Sequence, residues 1–64
     1  MTLEFNVPDL ACSACVKTVT QAVQAVDSAA QVNADPKTKH VQIVTQAAEA
    51  DIRAAITHAG YTVA

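Results

Sequence analysis

The chain of 64 residues has a formal net charge of −2, and 52% of it is apolar although only 3% is aromatic. A domain of this size buries a modest share of its surface, which excludes a large enclosed active site, and the scattered cations Lys17, Lys37, Lys39 and Arg53 form no stripe to follow a nucleic-acid backbone. No apolar run approaches the roughly 20 residues that span a bilayer, and the opening MTLEFNV lacks the basic and apolar regions of a secretory signal. The expectation is one domain over residues 1–64, soluble and cytoplasmic, with no nucleic-acid partner and no direct membrane insertion.

Leu3, Phe5 and Val7 alternate with Thr2, Glu4 and Asn6, the period of a strand with one buried face, and Pro8 closes it. Val16, Val19, Val23 and Val26 then recur at steps of three and four with Lys17, Thr20, Gln21 and Gln24 between them, which predicts an amphipathic helix over Ser13–Val26. Because β-branched side chains disfavour helix, tertiary burial must select this one. Ala30, Val32 and Ala34 alternate again, and after Asp35-Pro36-Lys37-Thr38-Lys39 the alternation resumes at Val41 and Ile43, a hairpin with a proline-bearing turn.

Glu49 and Asp51 open a second helix at the positive end of its dipole, with Ile52, Ala55, Ile56 and Ala59 as its inner stripe. Gly60 stops it, and Tyr61 to Val63 reads as a short last strand. The order strand, helix, strand, strand, helix, strand predicts an α+β, ferredoxin-like βαββαβ domain, a four-stranded antiparallel sheet with both helices on one face.

The cysteines are Cys12 and Cys15, two residues apart in LACSAC and ahead of the first predicted helix. A thiol at a helix N-terminus is drawn toward the thiolate by unpaired backbone N–H groups, and two thiolates on a flexible loop can reach the near-linear geometry that suits soft Cu(I). Structural zinc wants four ligands, which this chain does not visibly supply. The CxxC spacing alone leaves metal binding and thiol–disulfide chemistry both open, although a thioredoxin-like domain needs a longer chain. No Ser/His/Asp arrangement, paired carboxylates or glycine-rich phosphate loop points to an enzyme.

VPDLACSACVKTV, followed by the four further elements and ending ITHAGYTV, resembles the soluble copper chaperones of the heavy-metal-associated domain family, bacterial and cyanobacterial types in particular. The resemblance covers essentially the whole chain. It implies that Cys12 and Cys15, which fall on the cysteines of the family's GMxCxxC motif, are Cu(I) ligands. The motif's methionine falls on Leu10, a core-facing support for the loop, and its glycine on Asp9. Tyr61 stands where some bacterial relatives carry Tyr and others Lys or His, which implies a shield over the metal. Ala11 replaces the Asp that commonly precedes the first cysteine in zinc-exporting relatives, so copper is favoured over zinc.

Lys17 is a candidate to offset an anionic metal centre, His58 a candidate auxiliary contact or helix cap, and His40 is expected far from the loop. The function implied is delivery of Cu(I) by ligand exchange to the metal-binding domains of copper-transporting P-type ATPases, with a copper-bridged homodimer also expected. An excised ATPase domain and a thiol–disulfide oxidoreductase are the competing readings.

Overall fold

The computed structural model describes all residues, 1–64. Its elements are β1 (Thr2–Asn6), α1 (Ser13–Val26), β2 (Gln31–Asp35), β3 (His40–Val44) and α2 (Glu49–His58). The sheet has the order β1-β3-β2, antiparallel at both pairings, so β1 and β2 flank β3 and are joined by α1 in a split βαβ unit. The register places Leu3, Ile43 and Val32 in one row and Phe5, Val41 and Ala34 in the next. Side chains alternate across a strand, so these rows share one face.

That face meets the buried stripes of both helices. Val19 and Val23 of α1 and Ile52 and Ile56 of α2 are fully buried in one cluster with Phe5, Val7, Leu10, Ala30, Val41 and Ile43. At ~1.5–3 kcal/mol for each fully buried Val, Leu, Ile or Phe side chain, the apolar contact outweighs the weak helix propensity of the valines. Val26 departs from the expected stripe: it lies at the open end of α1 and is 43% exposed.

Two local devices fix the ends of these elements. Asp27 caps the C-terminus of α1 and ties it to the segment after β3, its carboxylate accepting from Thr45 Oγ1 at 2.7 Å, Ala29 N at 3.1 Å and Gln46 N at 3.3 Å. These three donors, the Thr45 hydroxyl foremost, hold its pKa below the ordinary carboxylate value. At the end of α2, Gly60 turns the chain at φ 97°, Gly60 N donates to Thr57 O at 3.0 Å, and Tyr61 N donates to Ile56 O at 3.3 Å. This is a Schellman closure.

The four-stranded sheet expected from the sequence is corrected to three strands. Residues 61–64 run past β1 without building a ladder, because their amides are engaged elsewhere: Tyr61 N closes α2, Thr62 N donates to Asp9 Oδ2 at 3.0 Å, and only Ala64 N reaches β1, at Asn6 O, 2.8 Å. Tyr61 and Val63 still pack against the core. Alternating hydrophobicity at 61–63 therefore reports burial correctly and backbone pairing incorrectly.

Candidate metal centre

The cysteine loop is the connection from β1 to α1, and its base is immobilised by burial. Leu10 is fully enclosed in the core, and Leu10 N donates to Val7 O at 3.0 Å, which folds residues 7–10 into a tight turn. The chain beyond Leu10 emerges to the surface, with Ala11, Cys12, Ser13 and Ala14 exposed and Cys15 half-buried. Cys12 is the N-cap of α1 in extended conformation (φ −153°, ψ 169°), and its Sγ accepts from Cys15 N at 3.4 Å. The CxxC spacing thus places one sulfur at the cap and the other in the first turn, both at the helix end whose amides carry partial positive charge.

The sulfurs are 2.9 Å apart, beyond the ~2.05 Å of a disulfide, and both cysteines are free thiols sharing a hydrogen bond. Cys15 is held down to about 7, chiefly by the hydrogen bond from Cys12, then by the Tyr61 hydroxyl and the Ala11 backbone, against a smaller opposing effect of burial. Reciprocally, the Cys15 sulfur foremost, and then burial, raise Tyr61 above its ordinary value, so the phenol keeps its proton beside a thiolate. Thr18, one turn into α1, pulls weakly the other way. The Tyr61 hydroxyl acts on Cys15 by proximity and forms no hydrogen bond of ordinary geometry with it.

No third His, Cys, Asp or Glu joins the pair in a cluster suited to a metal ion. His58 ends α2 exposed and outside any such cluster, Lys17 is exposed without an ion-pair partner, and His40 faces Glu4 at 2.9 Å on the sheet. Asp9 accepts from the Thr62 amide through Oδ2 and joins no cluster with the cysteines. That bond and the Schellman turn flank Tyr61 in the chain and place its half-buried side chain against the core with the hydroxyl toward Cys15.

Sequence reasoning assigned no role to Lys39. This residue ends the β2–β3 turn, 29 positions away from Leu10, and its Nζ donates to Leu10 O at 2.6 Å. A lysine among four scattered cations gives no signal of such a contact; only the closing of the sheet brings the turn under the loop.

The profile of the heavy-metal-associated domain matches residues 4–62. Among solved structures, the copper chaperone Atx1 from Synechocystis PCC6803, in a trimeric copper form of a histidine-to-tyrosine variant, is 42% identical, with 97% of this chain and 98% of that chain covered and a TM-score of 0.94. The solution structure of the cyanobacterial copper metallochaperone ScAtx1 is 42% identical over 100% of both chains, with a TM-score of 0.82. A gold-binding protein is 32% identical over 94% of this chain and 92% of that chain, with a TM-score of 0.89. A search of curated proteins gave no match.

Proposed function

This chain belongs to the heavy-metal-associated domain family, and we propose that it is a cytoplasmic Cu(I) carrier that binds one ion between Cys12 and Cys15 and passes it to another protein by ligand exchange. The observation that carries this reading is the isolation of the dithiol: two accessible sulfurs at one helix N-terminus, with no third ligand side chain nearby. A soft d¹⁰ ion accepts two thiolates, whereas a structural zinc ion wants four protein ligands. Similarity to copper chaperones at 42% identity supports the same cargo.

Loading replaces the S–H···S contact with two sulfur–metal bonds and releases the thiol protons, which leaves a centre of net charge −1 at the positive end of α1. At 2.9 Å the sulfurs are closer than two thiolates on opposite sides of a metal can be, since bonds of about 2.3 Å, as for zinc thiolates, would set them well apart. Cys12 is therefore the sulfur that moves. It is exposed and precedes the helix, whereas Cys15 is held by α1.

In transfer, a partner thiolate attacks the two-coordinate ion, Cys12 leaves first, and Cys15 follows, so that copper is never released to water. The recipients are the metal-binding domains of copper-transporting P-type ATPases, and a second copy of this chain is an alternative acceptor, in line with the trimeric copper form of the Synechocystis protein.

Anaerobic titration with Cu(I) against a chromophoric chelator tests the reading. One ion per chain is expected, with binding abolished in Cys12→Ser/Cys15→Ser. Weak Cu(I) retention combined with turnover of disulfide substrates by the reduced protein would replace it with an oxidoreductase.

A further inference from the structure

Three observations converge on Lys39. Its backbone is left-handed, at φ 66°, where non-glycine residues are uncommon. Its main chain closes the hairpin and receives the end of the first strand, Lys39 N donating to Asp35 O at 2.8 Å and Val7 N donating to Lys39 O at 2.8 Å. Its ammonium, partly buried, donates to Leu10 O at 2.6 Å. Lys39 thus grips the turn at residues 7–10 from both sides, and this turn is the rigid base from which Cys12 projects. The neighbouring Lys37 is exposed, and only its backbone N–H is engaged, with Asp35 Oδ1.

A turn that needed only a left-handed residue would be served best by glycine, which adopts positive φ without steric cost. The lysine side chain must therefore contribute something that glycine lacks, and the short ionic hydrogen bond to the Leu10 carbonyl is what it supplies. The bond polarises the peptide two residues before Cys12 and fixes a positive charge there.

We infer that Lys39 is a positioning residue for the cysteine loop, clamping the Leu10 peptide so that the backbone leading into Cys12 is held in one geometry while its side chain stays free to swing onto the ion, and setting a fixed cation two residues before the first thiolate. The clamp stands on the geometry of the metal-free protein; its effect on copper rests on the Cu(I) reading proposed above. A clamped loop with a nearby cation retains the ion longer, and loosening it speeds release.

The experiment compares Lys39→Gly, Lys39→Arg and Lys37→Ala with the unsubstituted protein. Lys39→Gly relieves the left-handed backbone while removing the ammonium, so its Tm stays within a few degrees. In the metal-free protein its ¹⁵N order parameters at Ala11 and Cys12 fall from the rigid range near 0.85 to below about 0.6. Its loaded form releases Cu(I) to a chelator about tenfold faster at low salt.

Lys39→Arg restores loop order and brings release to within about threefold of the unsubstituted protein. Lys37→Ala, which removes the same charge from the same turn, changes neither quantity. Unchanged order parameters in Lys39→Gly would overturn the clamp. Unchanged release, with copper bound normally, would overturn the electrostatic part. If the unsubstituted protein takes up no Cu(I), the copper reading fails, while the order parameters still decide the clamp.

Discussion

At the scale of single residues, the chemistry of the loop turns on how easily Cys15 becomes a thiolate. Its strongest influence is the Cys12 hydrogen bond, followed by Tyr61, and together they bring it to about 7. The thiolate is the nucleophile, so alkylation of metal-free Cys15 by iodoacetamide should accelerate as pH rises through about 7 and level off above it. In Cys12→Ser the stronger sulfur hydrogen bond is gone and the midpoint moves upward; mass spectrometry of the labelled peptide reads it directly. Tyr61→Phe removes a weaker contribution and leaves the ring in place, so its Cu(I) affinity should change by less than about threefold, while the rate of transfer or the extent of copper-bridged association changes more. A large loss of affinity in Tyr61→Phe would instead make the hydroxyl a ligand.

At the scale of elements, each end of a helix does a separate task. The N-terminus of α1 is capped by a cysteine where Ser, Thr, Asp or Asn would normally serve. The start of the helix therefore carries an exposed free thiol, and its other end is secured by Asp27. Because Asp27 is held below its ordinary pKa by Thr45, Ala29 and Gln46, its contribution to stability is complete above the ordinary carboxylate value and is lost as pH falls through the lower folded value. Asp27→Asn should therefore melt below the unsubstituted protein at neutral pH, and the two melting curves should converge in acid below about pH 4.

The C-terminus of α2 sets the place of Tyr61. A Cβ at Gly60 would meet nothing within 4 Å, so the cost of Gly60→Ala is conformational only: φ 97° is strained for alanine, at about 1–2 kcal/mol. Denaturant unfolding measures that cost, and displacement of Tyr61 should appear as an upward shift in the Cys15 alkylation midpoint.

At the scale of the whole molecule, a core of ten buried apolar residues holds 64 residues together, so stability is modest and ligand binding should shift it visibly. Free metal at about a thousand times Kd adds about 4 kcal/mol, and about 1 kcal/mol moves Tm by roughly 4–8 °C in a domain of this size. Anaerobic Cu(I) loading should accordingly raise Tm by about 15–30 °C, and a chelator should return it to the metal-free value. Calorimetry with Cys12→Ser/Cys15→Ser as the control separates this from nonspecific effects. No helix is long and apolar enough to cross a membrane, and the outer face of the sheet is mostly polar, with Glu4, Asn6, His40, Gln42, Asn33 and Asp35 at the surface.

The local periodicities were enough to place β1, α1, the hairpin and α2, because burial on one face imposes a repeat of 2 or 3.6 on neighbouring residues whatever the rest of the chain does. The CxxC pair at the start of α1 was legible for the same reason: its spacing and its distance from the valine stripe are both local. The same logic failed at 61–63, where alternation showed which side chains are buried but carried no information about whether the amides pair with β1, Asp9 or Ile56. Lys39 and Asp9 acquire their partners at separations of 29 and 53 residues, and nothing in the residues themselves names those partners, whereas Tyr61, 46 residues from Cys15, was set over the loop by the family resemblance alone. The order of residues was enough to locate the sulfur and the buried faces. The polar ties that brace the sulfur loop, Lys39 to Leu10 and Asp9 to Thr62, emerged from the folded chain, because a long-range hydrogen bond depends on the path of the whole chain and leaves no periodic trace in either segment it joins.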